Sequence, residues 1–149
     1  MERHDDRLTY GRTSVYNLNY HIVWGTKYRN KCLKGDVAVS LKYILMAIAE
    51  ERGFAIPYFE VGEEDHVHLF VSAPPKLSVS TMVKCLKGES SRKLFGYYEG
   101  KLRNHYWKKE GERHLWSPSY FVESIGAANQ DAVIKYISEQ REKEERRRL

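Results

Sequence analysis

The sequence predicts an α+β fold: one antiparallel sheet built in the order β-α-β-β-α-β, followed by a final helix. Three observations carry this expectation. Segments 15–24 and 66–72 alternate side chains with a two-residue period, as half-buried strands do. Segments 36–52 and 78–98 repeat apolar residues at helical spacing instead. At 149 residues the chain has the length of one domain with a real core, and no internal repeat divides it.

Composition narrows the classes of function. A net charge of +5, from 25 Lys and Arg against 20 Asp and Glu, suits a nucleic-acid partner. Eleven tyrosines and three tryptophans strengthen that reading, because aromatic faces stack on unpaired bases. No apolar run reaches the length of a membrane span, and the charged residues 1–7 have no signal-peptide segment behind them. Cys32 and Cys85 lie far apart and match no paired-cysteine metal spacing. Free thiols in a reducing cytoplasm are the expectation.

Residues 1–14 are polar and aperiodic and read as a loose arm. In 15–24, Leu18, Tyr20, Ile22 and Trp24 share one face, while Asn17, Asn19 and His21 share the other. The basic loop Thr26-Lys27-Tyr28-Arg29-Asn30-Lys31 follows. The helix at 36–52 places Val37, Leu41, Ile44, Leu45 and Ile48 inward, with Asp36 suited to cap its start and Gly53 its end. In the strand at 54–62, Pro57 calls for an edge position or a bulge. A tight turn then closes a hairpin onto 66–72.

Pro74-Pro75 interrupts the chain, and Ser78 is placed to cap the second long helix. Its inward face holds Val79, Met82, Val83, Leu86, Leu94 and Phe95. Its outer face carries Lys84, Lys87, Arg92 and Lys93, with the small residues Gly88, Ser90 and Ser91 where a phosphate could approach. Segment 100–119 reads as irregular, with Lys108 among interleaved basic and aromatic residues suited to a single strand or a hairpin tip. A fourth strand at 120–125 leads through the joint 126–128 to a helix capped by Asn129, which with its charged tail occupies 129–149. This order is the ferredoxin-like, or RRM-like, pattern. Both internal helices should cover one sheet face, leaving the face with His21, His66 and His68 for a ligand or the last helix.

The stretch 63–72, EEDHVHLFVS, is the chemical centre of the chain. Val67, Leu69 and Val71 should face the helices, and His66, His68, Phe70 and Ser72 the opposite side. Strand rise sets the two histidines roughly 6–7 Å apart at the backbone, close enough to share one metal ion. A hydrogen-bonded pair without a ligand satisfies the same spacing. In the last helix, Tyr136 and Gln140 lie one turn apart on one face. Docked on the histidine face, that stripe would bring a phenol and an amide oxygen to the metal, leaving positions open for substrate. A tyrosine at such a position can equally be simple helix packing. Two other classes fit the same residues: a non-catalytic RNA- or DNA-binding module, and a zinc hydrolase using His66, His68 and Glu64.

The motifs taken together resemble one family. His66-Val67-His68, preceded by Asp65, occurs with Tyr20-His21-Ile22-Val23-Trp24, Thr26-Lys27-Tyr28-Arg29, Pro74-Pro75-Lys76 and Leu86-Lys87-Gly88. Ser90-Ser91, Trp116-Ser117-Pro118-Ser119-Tyr120-Phe121-Val122 and Lys135-Tyr136-Ile137-Ser138-Glu139-Gln140 complete the set. In this order, over about 15–142, the chain resembles the small single-tyrosine HUH transposases of insertion sequences (TnpA type). The resemblance implies a DNA transposase that cuts and rejoins single-stranded DNA through a covalent 5'-phosphotyrosine and recognises subterminal hairpins without a nucleotide cofactor. It implies Tyr136 as nucleophile, with His66, His68 and Gln140 holding a divalent ion, Mg2+ or Mn2+. It also implies a homodimer in which the tyrosine helix can dock on the partner. Lys27, Arg29, Lys84, Lys87, Arg92 and Lys108 are the candidate DNA contacts.

Overall fold

The computed structural model describes residues 7–103, 106 and 114–148, with the side chains of 142 and 144–148 left aside. Its main sheet has four antiparallel strands: β3 (Asn19–Gly25), β4 (Ala55–Gly62), β5 (His66–Ser72) and β6 (Phe121–Ile125), in the order β4-β5-β3-β6. With α1 (Gly35–Arg52) between β3 and β4, and α2 (Val79–Tyr97) between β5 and β6, this is the expected ferredoxin-like arrangement. The last helix, α4 (Gln130–Arg148), follows β6.

Side-chain alternation sorts the sheet into two faces. Ile22, Trp24, Val67, Leu69 and Val71 point into a core shared with Leu41, Leu45 and Ile48 of α1 and Met82, Leu86 and Leu94 of α2. The other face receives α4: Val133, Ile134 and Ile137 pack on Phe70 and Ile125 in a second, smaller apolar cluster. Full burial of a side chain such as Ile137 contributes about 1.5–3 kcal/mol. That cluster fixes where α4 rests, mainly across β4 and less on β5. No helix among the described residues is long and apolar enough to cross a membrane.

Local signals account for the hairpin and the α2 start. Pro57 lies on the edge strand β4, where the register with β5 shifts between Ala55 and Tyr58. Its missing N–H costs no ladder bond there. The β4–β5 turn is tight because Glu63 and Glu64 both adopt left-handed backbone, with φ of 50° and 63°. Ser78 caps α2, its hydroxyl accepting from the Thr81 N–H.

Several expectations are corrected. Asp36 is not the α1 cap: Lys34 takes that position, and Asp36 sits in the first turn beside the helix dipole instead. The strand expected at 15–24 is broken before Asn19. Val15–Tyr16 (β2) pairs instead with Thr9–Tyr10 (β1), inside the span expected as a loose arm. Ser90 and Ser91 do not face phosphate, because both are buried. The Ser90 hydroxyl accepts from Trp116 Nε1 at 2.9 Å, and the Ser91 hydroxyl accepts from the Leu115 N–H at 3.2 Å. The span 100–119 is more ordered than its composition suggested. A short helix, α3 (Glu99–Arg103), opens it, and Trp116 bridges Thr26 in antiparallel fashion.

Candidate active site

The site is built where β5, β3 and α4 meet. His66 and His68 lie on the α4 side of β5, their ring centroids 4.9 Å apart. His66 has a glycine on each side across the sheet: Gly25 on β3 and Gly62 on β4 are its register partners. A Cβ on Gly62 would lie 2.3 Å from His66 Nε2, so the imidazole takes the space a side chain would fill. Over Gly25 runs the Arg29 side chain.

Each imidazole has a polar partner at Nδ1. His66 Nδ1 lies 2.7 Å from Asp65 Oδ1, and the other oxygen of that carboxylate is 3.4 Å from Arg29 Nε. An ionised carboxylate only accepts, so His66 Nδ1 carries a hydrogen, and in the neutral ring Nε2 is left as a lone pair. His68 Nδ1 faces His21 Nε2 at 3.3 Å. Its Nε2 is buried with no hydrogen-bond partner. Burial pushes the His68 pKa down to about 3, assisted by neighbouring His66 and His21, so the ring is neutral at ordinary pH. An imidazole held at Nδ1 by a hydrogen-bond partner can offer its Nε2 lone pair to a metal ion. The residues present fit such an ion.

Tyr136 reaches the same place from α4. Its ring meets His68 edge-on at 5.5 Å and His21 at 5.8 Å, and it is 46% exposed. It therefore lines an open cleft of about 610 Å³ with His21, His68, Phe121 and Glu123. Gln140 lies one turn further along α4 and is buried. A second groove of about 590 Å³, lined by Lys27, Tyr28, Arg29 and Ser117 to Phe121, shares Val23 and Phe121 with the first.

The remaining candidates scatter. Lys27 and Arg29 border the second groove, Arg29 also holding Asp65. Lys87 donates to the Ser117 and Ser119 carbonyls, binding α2 to the segment before β6. Lys84 and Arg92 are exposed on α2, across the sheet from the imidazoles. Lys108 lies outside the described residues. Glu64 offers its backbone carbonyl to the Leu33 N–H from the turn. No group of three His, Cys, Asp or Glu among the described residues is arranged to hold a metal, so the triad of a zinc hydrolase is not assembled.

Alternation puts His21 on the polar face without assigning it a role, and no linear pattern marks the two glycines flanking His66. Face parity signalled the first. Only the strand register could reveal the second.

A tyrosine-bearing helix thus lies over paired imidazoles on a ferredoxin-like sheet. The chain belongs to the family described as "Transposase IS200 like", whose profile matches residues 14–140. It is 40% identical over 134 residues to the ISDra2 transposase TnpA of Deinococcus radiodurans, covering 90% of this chain and 91% of that one. The transposase for insertion sequence element IS200 of Salmonella typhimurium is 33% identical over 129 residues, covering 87% and 80%. Among solved structures, a protein of Deinococcus radiodurans R1 described as a transposase superposes with a TM-score of 0.69 at 36% identity, covering 89% and 97%. A REP-associated tyrosine transposase bound to a REP hairpin shares the fold, with a TM-score of 0.60 at 15% identity over 87% and 69%.

Proposed function

We propose that this transposase cleaves and rejoins single-stranded DNA at insertion-sequence ends, with Tyr136 as nucleophile and His66, His68 and Gln140 holding Mg2+ or Mn2+. The observation that carries the reading is the meeting of Tyr136 with His68 at the mouth of one cleft, in a chain of this family. A divalent ion on these residues would polarise the scissile phosphate and offset its growing charge. The phenol oxygen attacks phosphorus and loses its proton. The bond from phosphorus to the 3' oxygen breaks, and that oxygen leaves as a hydroxyl after taking up a proton. The 5' phosphate stays on Tyr136 as a diester, so a later attack by a 3' hydroxyl rejoins DNA without ATP.

The sheet supplies position. Asp65 fixes His66, the Phe70–Ile137 contact seats α4, and the partly exposed phenol remains within reach of a strand in the cleft. The second groove offers Lys27 and Tyr28 to the same strand, as charge for phosphates and a face for a base. Recognition of subterminal hairpins belongs to this reading, as do a cytoplasmic location and a homodimer with α4 able to dock on the partner. Incubation of the protein with labelled single-stranded element ends and Mn2+ tests it. A protein–DNA adduct that survives denaturation supports the proposal, whereas hairpin binding with no strand breakage would reduce the chain to a binding module.

A further inference from the structure

His21 has been given no part in the chemistry, yet it touches both halves of the site. Its imidazole is buried, lies nearly parallel to His68 with centroids 5.5 Å apart and planes at 17°, and meets Tyr136 and Phe121 edge-on. It does not act as a third metal ligand, because its Nε2 is directed at His68 Nδ1. Glu123, its register partner on β6, is the charged group beside it on that face.

The 3.3 Å contact between His21 and His68 admits two proton placements. If His21 donates, His68 must carry its own hydrogen on Nε2. That hydrogen would be a buried donor with no partner, which is unfavourable. If His68 donates instead, Nε2 keeps a lone pair, and the orphaned atom becomes a metal-binding atom.

We infer that His21 is a positioning residue: it accepts the His68 Nδ1 hydrogen and so holds His68 in the tautomer whose Nε2 can bind a cation. The inference rests on the metal-assisted reading above. Asp65, in the turn between β4 and β5, does the same for His66, so each ligand has its own anchor. An imidazole suits the His68 side because that contact is buried, where an unpaired carboxylate would be costly.

Two measurements test this. Long-range proton–nitrogen NMR on the metal-free protein reads the His68 tautomer. It should find the hydrogen on Nδ1 in the wild type and population of the Nε2–H form in His21→Phe, which keeps the ring packing. Mn2+ titration followed by electron paramagnetic resonance should show affinity weakened about 10–100-fold in His21→Phe, and within about threefold of wild type in His21→Gln, whose amide oxygen can accept. An Nε2–H tautomer in the wild type, or equal Mn2+ affinity in wild type and His21→Phe, would overturn the inference. Absence of Mn2+ binding in the wild type would strike the metal reading instead, and the tautomer would still decide the part played by His21. The wild-type tautomer also decides it should His21→Phe fail to fold.

Discussion

Tyr136 and His68 meet edge to face within one chain, their ring centroids 5.5 Å apart and their planes at 75°. The contact joins the last helix to a central strand, and it exists because Ile137, the next residue, is buried against Phe70 and Ile125. The apolar residue anchors α4, and its neighbour presents a phenol to the cleft. Tyr136→Phe should therefore leave thermal stability within about 0.5 kcal/mol, since only a partly exposed hydroxyl is lost. Hairpin affinity, measured by gel shift, should stay close to wild type while cleavage disappears.

Gly62 is required by the ring across from it. Its backbone φ is not left-handed, so Gly62→Ala brings no backbone strain, but the new methyl would collide with the His66 imidazole. Displacing that ring should weaken Mn2+ binding by about 10-fold or more, in the range seen for disturbed ligand support. Calorimetric titration checks it, with a thermal melt showing that the fold persists.

Ion preference follows from ligand chemistry. Magnesium favours all-oxygen shells, whereas imidazole suits softer ions. Cleavage should therefore saturate at a lower concentration of Mn2+ than of Mg2+, and chelation should abolish it. A large magnesium advantage in parallel rate measurements would refute this preference.

Ser90 holds the segment that leads into β6. Ser90→Ala would leave the indole N–H of Trp116 buried without an acceptor, costing about 1–3 kcal/mol. Urea unfolding should report that loss. Since Ser90 lies across the sheet from the histidines, Mn2+ affinity should change little.

Alkaline conditions should destabilise the protein through Cys32 and Tyr106. Burial pushes both their pKa values up, and the Tyr106 hydroxyl also donates to the Leu115 carbonyl at 2.8 Å. In the unfolded chain both groups release protons at their ordinary, lower values. The folded state then binds more protons than the unfolded one, so stability falls as pH rises through the usual thiol and phenol range. Tyr106→Phe should flatten this decline in melts recorded across that range.

The sequence carried the sheet order and the strand faces because alternation in β3 and β5 is strict, and a side chain's face follows from parity alone. Pattern also puts His66 and His68 on one strand face and Tyr136 on the last helix, and the structure brings Tyr136 against His68. Ser90 and Ser91 were misplaced because a small hydroxyl on a helix reads as surface until its partner is known. Their partners, Trp116 and Leu115, lie more than twenty residues away. Asp36 was assigned as a cap because composition cannot tell a cap from a first-turn residue. His21 and Gly62 act across strands, through register, and a linear pattern does not report register directly.

The proposed chemistry requires that the phenol of Tyr136 become bonded to DNA. The direct measurement is mass spectrometry of the denatured adduct after trypsin digestion. Nucleotide mass is expected on the peptide spanning 136–141, released by cleavage after Lys135 and Arg141, with no adduct from Tyr136→Phe. Nucleotide mass on any other residue, or an undiminished adduct from that variant, would contradict it.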